Sequence, residues 1–401
     1  RRFPWQGYHQ PQVGPGSSIQ RSTDGGKTWA PAGRAGLPAS TPLGKIGLAV
    51  APQTRGQRVY AVIDGVGAAS GLYRSDDGGT TWALTMANRS LASNYFGRVF
   101  ADPKDADTVY FMGQSFRRST DGGKTFSYIK GSPGGDDYHF LWINPSRPER
   151  LILASDQGTT VSVNGGKTWS PWYNQPTGQF YRLAVDDREP YRLYSGQQDS
   201  GTVSVASRSD YGQLTYRDWH SVGGDERDGD IPDPVDPNLV YGSGLGGRVS
   251  RWDARTGRVA NVSPWPISSY GQNPSQASNP TTWITPIAIS PRKPHALYQG
   301  TDVLWRSLDK GQTWEKASPD LTGQEGPACS GDQPVEKATR CGYGVIFVIS
   351  PSPAADGLVW IGTDNGRIQV TRDDGKSWLD VTPKDLPDWS QVAAIDASPT
   401  D

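Results

Sequence analysis

Apolar residues in this chain fall in short runs, and many of the runs stop at a proline. Val99-Phe-Ala-Asp-Pro103 precedes Val109-Tyr110, Ile287-Ala-Ile-Ser-Pro291 precedes Leu297-Tyr298, and Ile346-Phe-Val-Ile-Ser-Pro351 precedes Val359-Trp360. Each apolar run ends in Asp, Ser or Asn followed by Pro, then comes a polar turn and a second short run. Runs of this length, bounded by turn residues, predict β-strands. A polar octapeptide follows: Ser22-Thr-Asp-Gly-Gly-Lys-Thr-Trp29, Ser75-Asp-Asp-Gly-Gly-Thr-Thr-Trp82, Ser119-Thr-Asp-Gly-Gly-Lys-Thr-Phe126, Ser162-Val-Asn-Gly-Gly-Lys-Thr-Trp169, Ser307-Leu-Asp-Lys-Gly-Gln-Thr-Trp314 and Thr371-Arg-Asp-Asp-Gly-Lys-Ser-Trp378. An Asp-x-Gly turn between a short apolar segment and an aromatic residue predicts a hairpin.

The third residues of these boxes are 24, 77, 121, 164, 309 and 373, so steps of 43 to 64 are broken by one gap of 145. That gap predicts two decayed copies. Ser207-Arg-Ser-Asp210 leading to Asp218-Trp219, and Arg251-Trp-Asp253-Ala-Arg-Thr-Gly257 leading to Trp265, fill it. About four strands per unit of some 50 residues predict an all-β fold, a β-propeller of four-stranded blades with seven or eight units. The expected units are about 1–40, 41–92, 93–132, 133–175, 176–222, 223–272, 273–335 and 336–401, all in one propeller over 1–401. The chain opens on Arg1 and closes on Val392-Ala-Ala-Ile-Asp-Ala-Ser-Pro399, which begins another unit. It therefore reads as a mature or excised form, part of a longer protein.

Composition narrows the picture. The 401 residues include 49 Gly, 32 Pro and 15 Trp, which argues against helical bundles and against disorder. A formal charge of −1 removes the footprint of a nucleic-acid binder, and no apolar run is long enough to span a bilayer. Cys329 and Cys341 are the only cysteines. A disulfide between them fits an oxidising compartment, and two free thiols fit a reducing one. The four His lack metal-ligand spacing, no Gly-x-Ser-x-Gly elbow occurs, and no phosphate-cradling loop is found.

The box resembles the Asp-box, or BNR repeat, of sialidases, sortilin-type domains and xyloglucanase-like glycosidases. Gly134-Gly-Asp-Asp-Tyr-His139, Tyr173-Asn-Gln-Pro-Thr-Gly-Gln-Phe-Tyr181, Gly196-Gln-Gln-Asp-Ser200 and Asn261-Val-Ser-Pro-Trp-Pro266 are similar to segments of secreted bacterial BNR propellers described as glycosyl-hydrolase-like or sortilin N-terminal-like. That resemblance implies a secreted, periplasmic or cell-surface location and only an analogy to glycosyl hydrolases. In xyloglucanase-like enzymes an Asp in a Thr-Asp-x-Gly-Gly context is catalytic. Asp156, Asp302 and Asp364 match the Thr/Ser-Asp but lack the glycine pair. No arginine triad of the sialidase kind is present.

In a propeller the innermost strands line a channel, so residues just before each inner run are expected at its mouth. Asp136, Asp137, His139, Gln179, Tyr181, Asp228, Asp230, Trp283 and Tyr343 are the candidate ligand-binding residues, with Lys45, Tyr95 and Gln391 at equivalent places. Carboxylates, amides and aromatics together suit a carbohydrate or polar peptide. The acidic loop Gly224–Asp236 offers oxygens from Asp225, Asp228 and Asp230 that could hold calcium; no other cofactor is expected. These features point to an extracellular propeller that binds a glycan or protein at its channel mouth without a complete catalytic set. A glycoside hydrolase or polysaccharide lyase using channel Asp, His and Tyr is the first alternative, and a structural subunit of a larger surface assembly is the second.

Overall fold

A computed structural model describes residues 16–38, 43–65, 69–88, 96–172, 177–227, 229–268, 278–323, 344–387 and 390–400. Cys329, Cys341, Asp228, Tyr343 and Tyr95 lie outside these residues. The described residues contain no α-helix, and no helix long and apolar enough to cross a membrane. They form two compact units, one within Gln12–Thr177 and one within Gly178–Asp401.

Every sheet is an antiparallel meander of consecutive strands, which is the blade of a β-propeller. In the first unit, blade 1 shows Gln20–Arg21 and Ala30–Pro31. Blade 2 is Ile46–Val50, Val59–Ile63, Gly71–Ser75 and Ala83–Ala87. Blade 3 is Arg98–Ala101, Val109–Met112, Phe116–Ser119 and Ser127–Lys130. Blade 4 has three strands, Tyr138–Ile143, Leu151–Ser155 and Gly158–Ser162. On its outer edge the Ser170 N–H bonds the Val161 carbonyl at 2.9 Å.

The second unit is four-stranded throughout. Blade 5 is Ala184–Val185, Arg192–Gln197, Gly201–Ala206 and Trp219–His220. Blade 6 is Asp230–Pro232, Leu239–Gly244, Arg248–Asp253 and Arg258–Asn261. Blade 7 is Ile287–Ile289, Leu297–Gly300, Leu304–Ser307 and Glu315–Lys316. Blade 8 is Ile346–Pro351, Val359–Thr363, Ile368–Thr371 and Leu379–Asp380.

The apolar runs and their terminal prolines have a direct cause. The Asp or Asn before the proline folds the corner between the first and second strands by accepting backbone N–H groups two and three residues on. Asp102 Oδ1 receives Lys104 and Asp105 at 2.8 and 3.1 Å, and Asp233 Oδ1 receives Val235 and Asp236 at 2.9 and 3.0 Å. Apolar faces of neighbouring blades then meet: Tyr60, Leu72, Val99, Val109 and Phe111 join blades 2 and 3, and Tyr298, Leu304, Ile346 and Ile361 join blades 7 and 8.

The box closes each outer hairpin in the same way. In blade 7 the Ser307 hydroxyl accepts the Gly311 N–H at 2.9 Å and donates to Asp309 Oδ1. That oxygen also accepts the Thr313 N–H at 2.8 Å, while the Thr313 hydroxyl donates to Asp309 Oδ2 at 2.6 Å. Blades 1, 2, 3 and 8 repeat this net, and Asn164 substitutes its amide in blade 4. The tryptophan ties blades together. Trp82 Nε1 donates to the Gly33 carbonyl of blade 1 at 3.0 Å, Trp314 to Val262 of blade 6 at 2.7 Å, and Trp378 to Ala317 of blade 7 at 3.1 Å. Gly375 must be glycine here, because its φ is +87° and a Cβ would sit 2.1 Å from the Ala317 carbonyl oxygen. The two decayed copies differ: Trp219 lies on the fourth strand of blade 5, and Trp265 lies past blade 6 against Trp305, with ring centroids 5.7 Å apart. Neither closes a box.

These carboxylates are held low. Hydrogen bonds from the Thr313 hydroxyl and then its N–H pull Asp309 down to about 2, and Ser377 does the same for Asp373. The unfolded value is about 3.9. A depressed folded pKa adds stability above the unfolded value and loses it as pH falls through the folded one. Asp309→Asn should therefore be less stable than wild type at pH 6, with the gap closing between pH 4 and pH 2 in thermal melts. Trp378→Phe, which deletes one tie, should cost about 1 kcal/mol in urea unfolding at any pH.

Candidate functional site

In an antiparallel pair, the segment leading into the first strand runs beside the turn that leaves the second. Both sets of sequence candidates therefore fall on one edge of each blade. The Asp156 N–H bonds the Asp137 carbonyl at 3.2 Å, Gln198 bonds Gln179 at 2.9 Å, and Asp364 bonds Val345 at 3.0 Å. Asp64 occupies the same position in blade 2, its N–H bonding the Lys45 carbonyl at 2.9 Å. The sequence reading missed it because its Ile63-Asp64 lacks the Ser or Thr that marks Asp156, Asp302 and Asp364. The first strands of blades 5, 6, 7 and 8 pack side by side, which aligns this edge along the second unit.

In the first unit the rim is polar and tightly paired. His139 Nε2 lies 2.9 Å from Asp156 Oδ1, and Phe96 stacks on the imidazole at 5.7 Å with 24° between planes. Asp136 accepts from the Gln157 amide, whose oxygen takes the Asp136 N–H at 3.2 Å. Asp137 adopts a left-handed φ of 49°, which turns the chain into blade 4. Burial, then the nearby Arg98, lowers the Lys45 ammonium below its ordinary value.

In the second unit three blades build one continuous network. The Arg227 guanidinium lies 3.8 Å from the centroid of the Trp283 ring. Trp283 Nε1 donates to the Tyr181 hydroxyl at 2.8 Å and reaches Gln198 Oε1 at 3.3 Å. Tyr181 donates to the same Gln198 oxygen, and the Gln198 amide donates to Asp199 at 2.8 Å. Burial raises the Tyr181 pKa, so the phenol stays a donor. Arg182 stands over the Phe347 ring at 5.4 Å and donates to the Phe347 carbonyl at 2.5 Å. Gln179 is exposed beside this network.

The acidic loop is an arginine–carboxylate lattice. Arg227 contacts Asp225 at 3.6 Å and Glu226 at 2.5 Å, and Arg248 contacts Asp225 at 2.6 Å. Counting oxygens from the sequence passed over Arg227, the cation that organises them. Asp230 is buried in the first strand of blade 6, close against Gly224 and Gly242, where an added Cβ would lie 2.5 Å from its Oδ1 in either case.

The three candidate catalytic carboxylates have different surroundings. Asp156 faces His139. Asp364 is buried and accepts the Val345 N–H at 2.8 Å, so one oxygen fixes the start of blade 8. Burial, partly offset by the Thr301 hydroxyl, raises the Asp302 carboxyl.

Fold and repeat together define a protein built of Asp-box β-propeller blades. The BNR/Asp-box repeat family matches residues 20–31. The chain is similar to a xyloglucanase of Hypocrea jecorina (strain QM6a), 27% identical over 197 residues that cover 39% of this chain and 23% of that protein. A xyloglucanase of Paenibacillus sp is 26% identical over 283 residues, 61% of this chain and 23% of the relative. The chain thus spans about a quarter of the length of these curated relatives. Among solved structures, a GH74 enzyme of Niastella koreensis aligns with a TM-score of 0.34 and 13% identity, covering 97% of this chain and 66% of that one.

Arg227→Ala removes the cation from the Trp283 face, a contact worth about 2 kcal/mol when desolvated. The variant should lose about that much stability in urea and shift Trp emission to the red; unchanged emission would contradict the stacking.

Proposed function

We propose that the rim of blades 5 to 7 binds a glycan, and that the glycan is a xyloglucan-type polysaccharide met outside the cell. The observation that carries this reading is the Arg227–Trp283–Tyr181–Gln198–Asp199 network. It sets an indole and a phenol beside an amide, a guanidinium and a carboxylate, all drawn from segments that flank blade strands. Sugar rings present an apolar face and a fringe of hydroxyls, and this mixture complements both. The chain's similarity to proteins named xyloglucanases supports the choice of polysaccharide.

A second reading, hydrolysis, is favoured by Asp302. Glycoside hydrolysis needs a carboxylic acid that remains protonated beside a second carboxylate. Burial shifts Asp302 in that direction. By contrast, Asp364 is committed to a backbone N–H and Asp156 to a histidine.

Calorimetric titration with xyloglucan oligosaccharides tests the proposal. Trp283→Ala should weaken binding by roughly tenfold or more, as loss of an aromatic anchor does, while Asp156→Asn should leave affinity within about twofold. No heat with any oligosaccharide would overturn it. Reducing-sugar release from xyloglucan that disappears in Asp302→Asn would establish the second reading in its place.

A further inference from the structure

Away from the rim, the junction of blades 5 and 6 holds a cleft of about 120 Å³ lined by Arg188, Arg192, Tyr194, Ser204, His220 and Trp252, among others. We propose that this cleft is a binding site for a small oxyanion, with Arg192 as its principal ligand.

Three observations converge on that assignment. First, Arg192 is half-buried on the second strand of blade 5, and no carboxylate lies within 4.0 Å of its guanidinium among the described residues. Its contacts are neutral: Nε donates to the Ser204 hydroxyl at 2.8 Å, and one Nη lies 3.1 and 3.3 Å from the two ring nitrogens of His220. A guanidinium taken partly out of water ordinarily has an anionic partner. Second, the neighbouring Arg188 already has its counterion, being bonded to Asp186 and to the Tyr194 hydroxyl. Asp186 in turn accepts from Tyr194 at 2.8 Å and from the Arg192 N–H at 2.8 Å, so its oxygens are spent. The other carboxylate whose field reaches Arg192, Asp218, accepts the Thr215 N–H at 2.7 Å. Third, the walls are apolar and fixed. Trp252 packs with Tyr194 and Val222, and its ring centroid lies 6.3 Å from that of His220.

Burial, ahead of the surrounding charges, holds Arg192 below its usual value, and burial followed by Arg192 and Arg188 does the same to His220. An anion would relieve both. At about 120 Å³ the cleft has room for one sulfate, phosphate or carboxylate group.

The cleft also has a cause in the repeat. In blades 2, 7 and 8 the box tryptophan fills the space beside the preceding blade. Blade 6 has no box tryptophan, since Arg258 stands at that position. Trp252 comes from the third strand instead and leaves the outer part of the junction open.

The test uses the full chain at low ionic strength, with histidine ring protons followed by NMR and His220→Gln used to assign its resonance. Sodium sulfate and inorganic phosphate should move the His220 signal along a saturating curve, and sodium chloride at matched ionic strength should not. Arg192→Gln should weaken the response about tenfold or more, as loss of a charged hydrogen-bond donor does, while Trp283→Ala leaves it unchanged. Glucuronate distinguishes the source: saturation by it as well indicates an acidic sugar, and saturation by the inorganic ions alone indicates a free oxyanion. A linear response, an equal chloride response or an undiminished Arg192→Gln response overturns the proposal. If Arg192→Gln does not fold, sulfate-dependent thermal stabilisation is compared in wild type and His220→Ala, which removes a cleft-lining ring exposed enough to be lost without unfolding the blade; equal stabilisation overturns the proposal.

Discussion

The box carboxylate spends both of its oxygens on its own turn, and the geometry of each boxed blade depends on that closure. A serine or threonine hydroxyl and a second hydroxyl four residues on from the Asp converge on one side chain, so the hairpin cannot open without leaving several polar groups unsatisfied. Because the turn is fixed, the aromatic residue that follows leaves it from a defined position. In blades 2, 7 and 8 this places an indole N–H against a carbonyl just past the last strand of the preceding blade. A local hydrogen-bond net thereby sets a long-range contact, and the apolar faces of adjacent sheets meet in register as a consequence.

Aspartate serves two unlike purposes in this chain. Box aspartates are bonded by the hydroxyls and N–H groups of their own turns and are strongly acidic. Those on the rim, after the second strand of a blade, sit in partly buried surroundings with a different neighbour each time: a histidine for Asp156, a backbone N–H for Asp364, and for Asp302 burial that favours the protonated form. Composition cannot separate the two classes, but position in the repeat does.

The same distinction explains what was legible in the sequence. The fold was legible because the box and the Asp-Pro corner are local: each is complete within about eight residues, and its hydrogen bonds form wherever those residues occur. Asp136, His139, Tyr181 and Trp283 were singled out by the same period. Their partners were not. That Trp283 rests on Arg227, or that Tyr181 shares an oxygen of Gln198 with it, depends on side chains from three blades meeting at strand ends, and no spacing encodes that. Arg227 was hidden inside a loop that reads as acidic, and Asp64 lacked the preceding hydroxyl residue that drew attention to its counterparts.

Blades 5 and 6 are where the period decays, and they also carry most of the unusual chemistry. Losing the box removes a constraint as well as a contact. In blade 5 the hairpin lengthens through Tyr216–Asp218 and brings His220 onto the outer strand. In blade 6 the missing indole is replaced from another strand by Trp252. The space that a tryptophan would have sealed becomes a cleft lined by arginine and histidine. At the other end of the same two blades, Tyr181 and Arg227 begin the network that reaches Trp283. A repeat tolerates such decay only where neighbouring blades still clamp the sheet from both sides. Blade 6 meets that condition, since Val262 receives Trp314 from blade 7 and Tyr194, Val222 and Val240 pack across its other face. Intact boxes elsewhere therefore make it affordable for these two blades to depart from the pattern and acquire sites of their own.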